Sequence, residues 1–249
     1  MKKLPLLAVV LALSFVALLT ASNAAVSAAF TGLSGDYVIS GSLYLDNDAA
    51  DNGSFLQAAG VGNVTEIRHS DGTLVWENSL SELSIAFGGF NRTALAPGLG
   101  GTTQFTSNGG FVDFYSNSLG TFQATGNYVA DLTAIAGGNL ELVLEGIEDP
   151  LGNVAVGQFS DTSYSSNGFL EVVSGGAFAD NFDTNTIDLG NNIFADMSFN
   201  ISGDNLATAG YDYSGSADLA VSTVPTPGSM YLLGTGLFGF GMMGRRKKS

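Results

Sequence analysis

Apolar and polar residues alternate with a period of two along the middle of this 249-residue chain, and that pattern narrows its fold most. In Leu140-Glu141-Leu142-Val143-Leu144-Glu145 the leucines share one face of an extended strand, while Glu141, Val143 and Glu145 share the other. Met197, Phe199 and Ile201 oppose Asp196, Ser198, Asn200 and Ser202 in the same way. One face packs inward and the other meets water, as in antiparallel sheets. Strand-like runs occupy 37–46, 73–78, 110–116, 139–146, 168–175, 195–203 and 216–222, whereas 80–87 and 132–138 suit either a strand or a short helix. Clusters such as NDAADNG, SNGG and GGN separate the runs and supply turns, because Gly, Asn and Asp tolerate positive φ. Many short strands with Gly-rich turns predict an all-β fold, a single antiparallel β-sandwich of jelly-roll type spanning 30–222.

The two ends are not fold material. Lys2 and Lys3 precede an apolar run from Leu4 to Leu19 and then small residues, the order of a bacterial secretory signal peptide over 1–29, with cleavage between Ala24 and Ala29. At the other end, Val224-Pro225-Thr226-Pro227 cannot be a helix interior, since each proline lacks an N–H and restricts its neighbour. Uncharged Gly228–Gly244 follows, spanning about 25 Å as a helix, at the lower limit for crossing a bilayer. Arg245, Arg246, Lys247 and Lys248 close the chain and would stay cytoplasmic. The sequence therefore predicts an exported body, held at the inner membrane by a short C-terminal transmembrane helix.

Removing the ends sharpens the charge. Between them only Arg68 and Arg92 face all 23 acidic residues, a formal charge of −21. Such a field repels phosphate backbones and attracts cations, which excludes nucleic acid as a partner. The chain has no cysteine, so its core must hold without disulfides, and roughly 195 residues suffice for that. Thiolate catalysis and multi-histidine metal centres are excluded, His69 being the sole histidine.

Pro-x-Pro, a short Gly-rich apolar helix and a terminal Arg/Lys cluster, in that order over 223–249, resemble the PEP-CTERM sorting signal of Gram-negative bacteria. The usual Glu between the prolines is Thr226 here. The resemblance implies a precursor recognised and cut by exosortase, a membrane-embedded protease, with release to the cell surface or exopolysaccharide matrix. The six glycines of the apolar stretch suit a transient helix better than a permanent single-pass anchor, the alternative for this tail. GFLEVVSGGAFADNFDTN (168–185) followed by ADMSFNIS also resembles stretches of flocculation-associated members of that group.

Chemistry-bearing patterns are sparse. Asp46, Asp48 and Asp51, with Gly53 turning the chain, form the candidate calcium loop, although the spacing is not that of an EF-hand. Asp180, Asp183 and Asp188 form a weaker candidate. Beyond calcium no cofactor is expected. His69-Ser70-Asp71 places its residues too close in sequence to converge as a triad and reads as a turn. Glu141 and Glu145 read as solvated-face residues rather than a glycosidase pair. Trp76, Tyr115, Tyr128, Tyr164, Tyr211 and Tyr213 are available as sugar platforms. These readings favour a non-enzymatic matrix protein associated with exopolysaccharide, biofilm or flocs. A lectin-like carbohydrate-binding module is the alternative, and a hydrolase comes third.

Overall fold

The computed structural model describes residues 35–46, 57–78, 81–173, 179–205 and 210–223. Among the described residues thirteen strands carry the fold. They are β1 (Gly35–Asp46), β2 (Gln57–His69), β3 (Leu74–Glu77), β4 (Glu82–Pro97), β5 (Thr103–Asn108), β6 (Phe111–Asn117), β7 (Asn139–Gly146) and β8 (Ala155–Phe159), then β9 (Ser163–Val172), β10 (Ile187–Gly190), β11 (Ile193–Ala195), β12 (Met197–Asp204) and β13 (Tyr213–Thr223). Helix α1 (Tyr128–Ile135) lies between β6 and β7, and the single-turn α2 (Ala179–Phe182) follows β9.

The all-β, antiparallel expectation holds, but the strands do not form two stacked sheets. Eight of them run in one sheet, β2-β1-β13-β12-β9-β7-β6-β4, which closes on itself where β2 pairs with β4. Strands β5 and β8 form a second path from β4 to β9. β4 is long enough to change partners along its length: Glu82–Gly88 pairs with β6 and Asn91–Pro97 with β5. Gly88-Gly89 sits at that change, with Gly89 at φ 74° and the β2 register slipping opposite it, as in a bulge that bends a strand. Strict alternation gives one dry and one wet face in a sandwich or a barrel alike. What selects closure here is strand length and bulge placement, which the period does not encode.

The interior is mainly apolar. Ile39, Leu43, Ile67, Leu83, Phe114, Leu142, Leu144, Leu170 and Met197 are buried among aromatic rings. Several glycines lie within strands and face inward rather than making turns. A Cβ on Gly60 would stand 2.4 Å from the Phe87 ring, on Gly157 2.6 Å from Phe105, and on Gly168 2.8 Å from Phe199. Small residues opposite large ones are how a narrow barrel fills its bore. The outward positions of β1, β12 and β13 hold Ser40, Ser42, Asn200, Ser202, Ser216 and Asp218. An apolar inside with a polar outside is the reverse of a membrane-spanning barrel. Among the described residues no helix is long and apolar enough to cross a membrane. The expected signal peptide over 1–29 and the expected helix within 224–249 lie outside those residues.

Candidate binding groove on the open barrel wall

Antiparallel register aligns outward residues of successive strands into rows across the wall. One row runs Thr106, Val156, Asn167, Asn200, Asp218, Ser40 through β5, β8, β9, β12, β13 and β1. Its neighbour runs Gln104, Gln158, Ser165, Ser202, Ser216, Ser42 through the same strands. Where the rows cross β5, β8, β9 and β12 the wall is hollowed into a groove of about 540 Å³. Its lining includes Gln104, Thr106, Gln158, Ser165, Asn167 and Asn200. Asn167 and Asn200 also line an adjoining hollow of about 470 Å³ that runs on toward Asp218.

The groove is uncharged. Gln104, Gln158, Asn167 and Asn200 are exposed, and each amide offers two donors and an acceptor. Val156, 42% exposed, gives an apolar step between Thr106 and Asn167. Gly157 thins the wall enough for the Phe105 ring to line the floor. Asp218, next along its row after Asn200, accepts a hydrogen bond from Ser40 Oγ at 2.6 Å. Beneath the floor, inside the barrel, the Arg92 guanidinium lies 4.9 Å from the Phe105 ring centre and 5.0 Å from that of Phe159. Burial pulls Arg92 below the usual arginine range, while the Tyr164 phenol counters that pull.

The opposite wall is covered. Asn127 caps α1 by accepting from Ala130 N at 3.1 Å, and Ile135, fully buried, packs with Val61 and Tyr211. Buried carboxylates fasten the segment before the helix. Glu82 accepts from Gly120 N at 3.0 Å and from Phe122 N at 2.6 Å. Asp131 accepts from Thr125 N, Thr125 Oγ1 and Tyr211 Oη at 2.9, 2.6 and 2.8 Å. A third buried acid, Asp196, accepts from Val172 N at 2.8 Å and from Thr184 N at 2.6 Å, tying down the residues after α2.

The residues singled out in the sequence fall elsewhere. Val224, Pro225, Thr226, Pro227, Arg245, Arg246, Lys247 and Lys248 lie outside the described residues, as do Asp48 and Asp51. Asp46 ends β1. Asp183 accepts from its neighbour Asn185 Nδ2 at 2.9 Å, and Asp188 accepts from Gly190 N at 2.8 Å in the β10–β11 turn. Among the described residues no three His, Cys, Asp or Glu side chains gather to hold a metal.

His69 closes β2 with its ring 4.5 Å from that of Tyr37, centre to centre. Asp71 accepts from Thr73 N at 2.9 Å, which holds its carboxyl below the usual range, so this stretch is the turn its sequence predicts. Glu141 corrects the sequence reading: a bulge opposite Phe114 and Tyr115 turns it inward, where it is buried and accepts from Ser116 Oγ at 2.5 Å. The aromatic platforms fail too, since Trp76, Tyr164, Tyr211 and Tyr213 are buried. Tyr115 and Tyr128 pack against the cluster beneath α1. Of the groove's own residues the sequence pattern marks only Asn200, as a wet-face position, because isolated Gln, Asn and Ser carry no other signal. The chain matches no family model, no curated protein and no solved structure.

Proposed function

We propose that this chain is an exported, non-enzymatic surface or extracellular-matrix protein, delivered by an exosortase-type system and associated with exopolysaccharide. The observation that carries the reading is the bare wall of aligned hydroxyls and amides with an uncharged groove, set on a strongly acidic body. Hydrated polysaccharide presents the matching chemistry, hydroxyl donors and acceptors without strong charge. The order of Pro225-Thr226-Pro227, apolar stretch and Arg245–Lys248 supports delivery. Calcium held by Asp46, Asp48 and Asp51 belongs to the same proposal, as a bridge within the hydrated polymer network.

The test is intact mass of the native protein, recovered separately from inner membrane, cell surface and matrix. A matrix form ending near Val224–Pro227 is expected. A chain intact to Ser249 and confined to the inner membrane overturns the reading and makes the tail a permanent anchor.

A further inference from the structure

We infer that the groove across β5, β8, β9 and β12 binds a neutral polyhydroxylated glycan, lying across the strands rather than along them. The inference rests on the exopolysaccharide reading and names the ligand class of that site.

Geometry sets the direction. Adjacent strands stand about 4.8 Å apart, close to the advance per sugar in an extended β-linked pyranose chain. A glycan crossing the strands therefore meets a fresh pair of side chains with each ring, one from each row. It meets Gln104 and Thr106 on β5, Gln158 and Val156 on β8, Ser165 and Asn167 on β9, then Ser202 and Asn200 on β12. Side chains two apart on one strand stand on the same face, so the two rows can flank a single chain.

Chemistry sets the class. A primary amide can donate to one hydroxyl and accept from the next on the same ring, which suits vicinal diols. Val156, exposed between polar neighbours, offers a dry patch to the C–H face of a pyranose. Neither row carries a cation, and the one charge along them is the acidic Asp218. A uronic-acid polymer would meet repulsion from that carboxylate and from the body, whereas a neutral chain meets none. The rows are fixed to strands paired on both sides, so little ordering is lost on binding.

The experiment uses the full chain expressed in its host, titrated calorimetrically with cello-, laminari- and manno-oligosaccharides of two to eight residues, and with polygalacturonate with and without calcium. Saturable binding to at least one neutral series is expected, strengthening with length until four strands are spanned and unchanged by salt. Asn167→Ala combined with Asn200→Ala should weaken it tenfold or more at an unchanged unfolding midpoint, and Ser222→Ala, off both rows, should leave it intact. Absence of binding to all three neutral series overturns the inference, and so does binding to polygalacturonate alone. Either result leaves matrix localisation untouched, because fractionation tests that separately. Conversely, glycan binding by a protein confined to the inner membrane keeps the groove and removes the matrix role.

Discussion

Two outer walls of the same barrel have opposite fates. Over β1, β2, β4 and β6, helix α1 and the segment before it lay Phe122, Tyr128, Leu132 and Ile135 against Tyr44, Val61 and Tyr115. Over β5, β8, β9 and β12 nothing among the described residues covers the rows of Ser, Thr, Asn and Gln. Pleat and pairing are alike; the outward side chains differ. Large apolar and aromatic groups on the first wall reward a cover, and Glu82 and Asp131 satisfy the backbone N–H groups that the cover brings down with it. Small hydroxyls and amides on the second wall gain little from burial and stay wet.

If carboxylates fasten the covered wall, removing one should be the most damaging change. Glu82→Ala strands the N–H groups of Gly120 and Phe122 and leaves a void beneath them. A loss of about 4 kcal/mol is expected, two charge-assisted hydrogen bonds' worth. Urea unfolding reads it directly. A loss no larger than that of an ordinary surface change would mean that apolar contact alone holds the cover.

Tyr211 tests the same wall through pH. Burial first, and then the hydrogen bond to the Asp131 carboxylate, push its phenol far above the usual tyrosine range. The fold holds the neutral phenol, so this contribution is complete below about pH 10, the ordinary tyrosine value. It is lost as pH climbs from there toward the raised folded value. Tyr211→Phe should cost about 1.5 kcal/mol at pH 7 and flatten the decline between pH 9 and 11. An equally steep decline in the variant would assign it to other groups.

How far each wall is legible in the sequence follows from what alternation can say. Leu142, Leu144, Met197 and Phe199 declare an inward face correctly, and the flanking turns mark a β fold. Gly60, Gly157 and Gly168 misdirect, because a glycine reads as punctuation when here it clears space for a ring inside a strand. That hides β2 and β8, while Thr, Ser and Asn hide β5, and with them the closure of the barrel goes unread. Glu141 reads as a wet-face acid, and Glu82 carries no mark within an ambiguous 80–87, because a bulge and a segment descending from another part of the chain are tertiary facts. The groove was spelled out in Asn167, Asn200, Gln104 and Gln158, but only register across four strands makes them neighbours.

Beneath the bare wall the buried charge is a cation, Arg92, where the covered wall buries the carboxylates Glu82 and Asp131. Arg92 lies between Phe105 and Phe159, whose faces attract the guanidinium. A buried charge is weak support for stability, since desolvation offsets most of what its neighbours return. Arg92→Met, similar in length and apolar, is therefore expected to change stability by no more than about 1 kcal/mol. A collapse of the fold would show instead that this barrel end depends on the guanidinium.

The smallest effect on stability should come from the groove itself, and there the comparison becomes sharpest. Asn167 and Asn200 are exposed and stand on strands whose backbone pairing does not depend on their side chains. Replacing both by Ala should leave the unfolding free energy within about 0.5 kcal/mol of the parent. A larger loss would mean that the rows are braces of the wall, like Glu82 on the other side. An unmoved unfolding curve together with weakened glycan binding would separate the two walls by role. One set of outward residues holds the protein together, and the other faces what the protein touches.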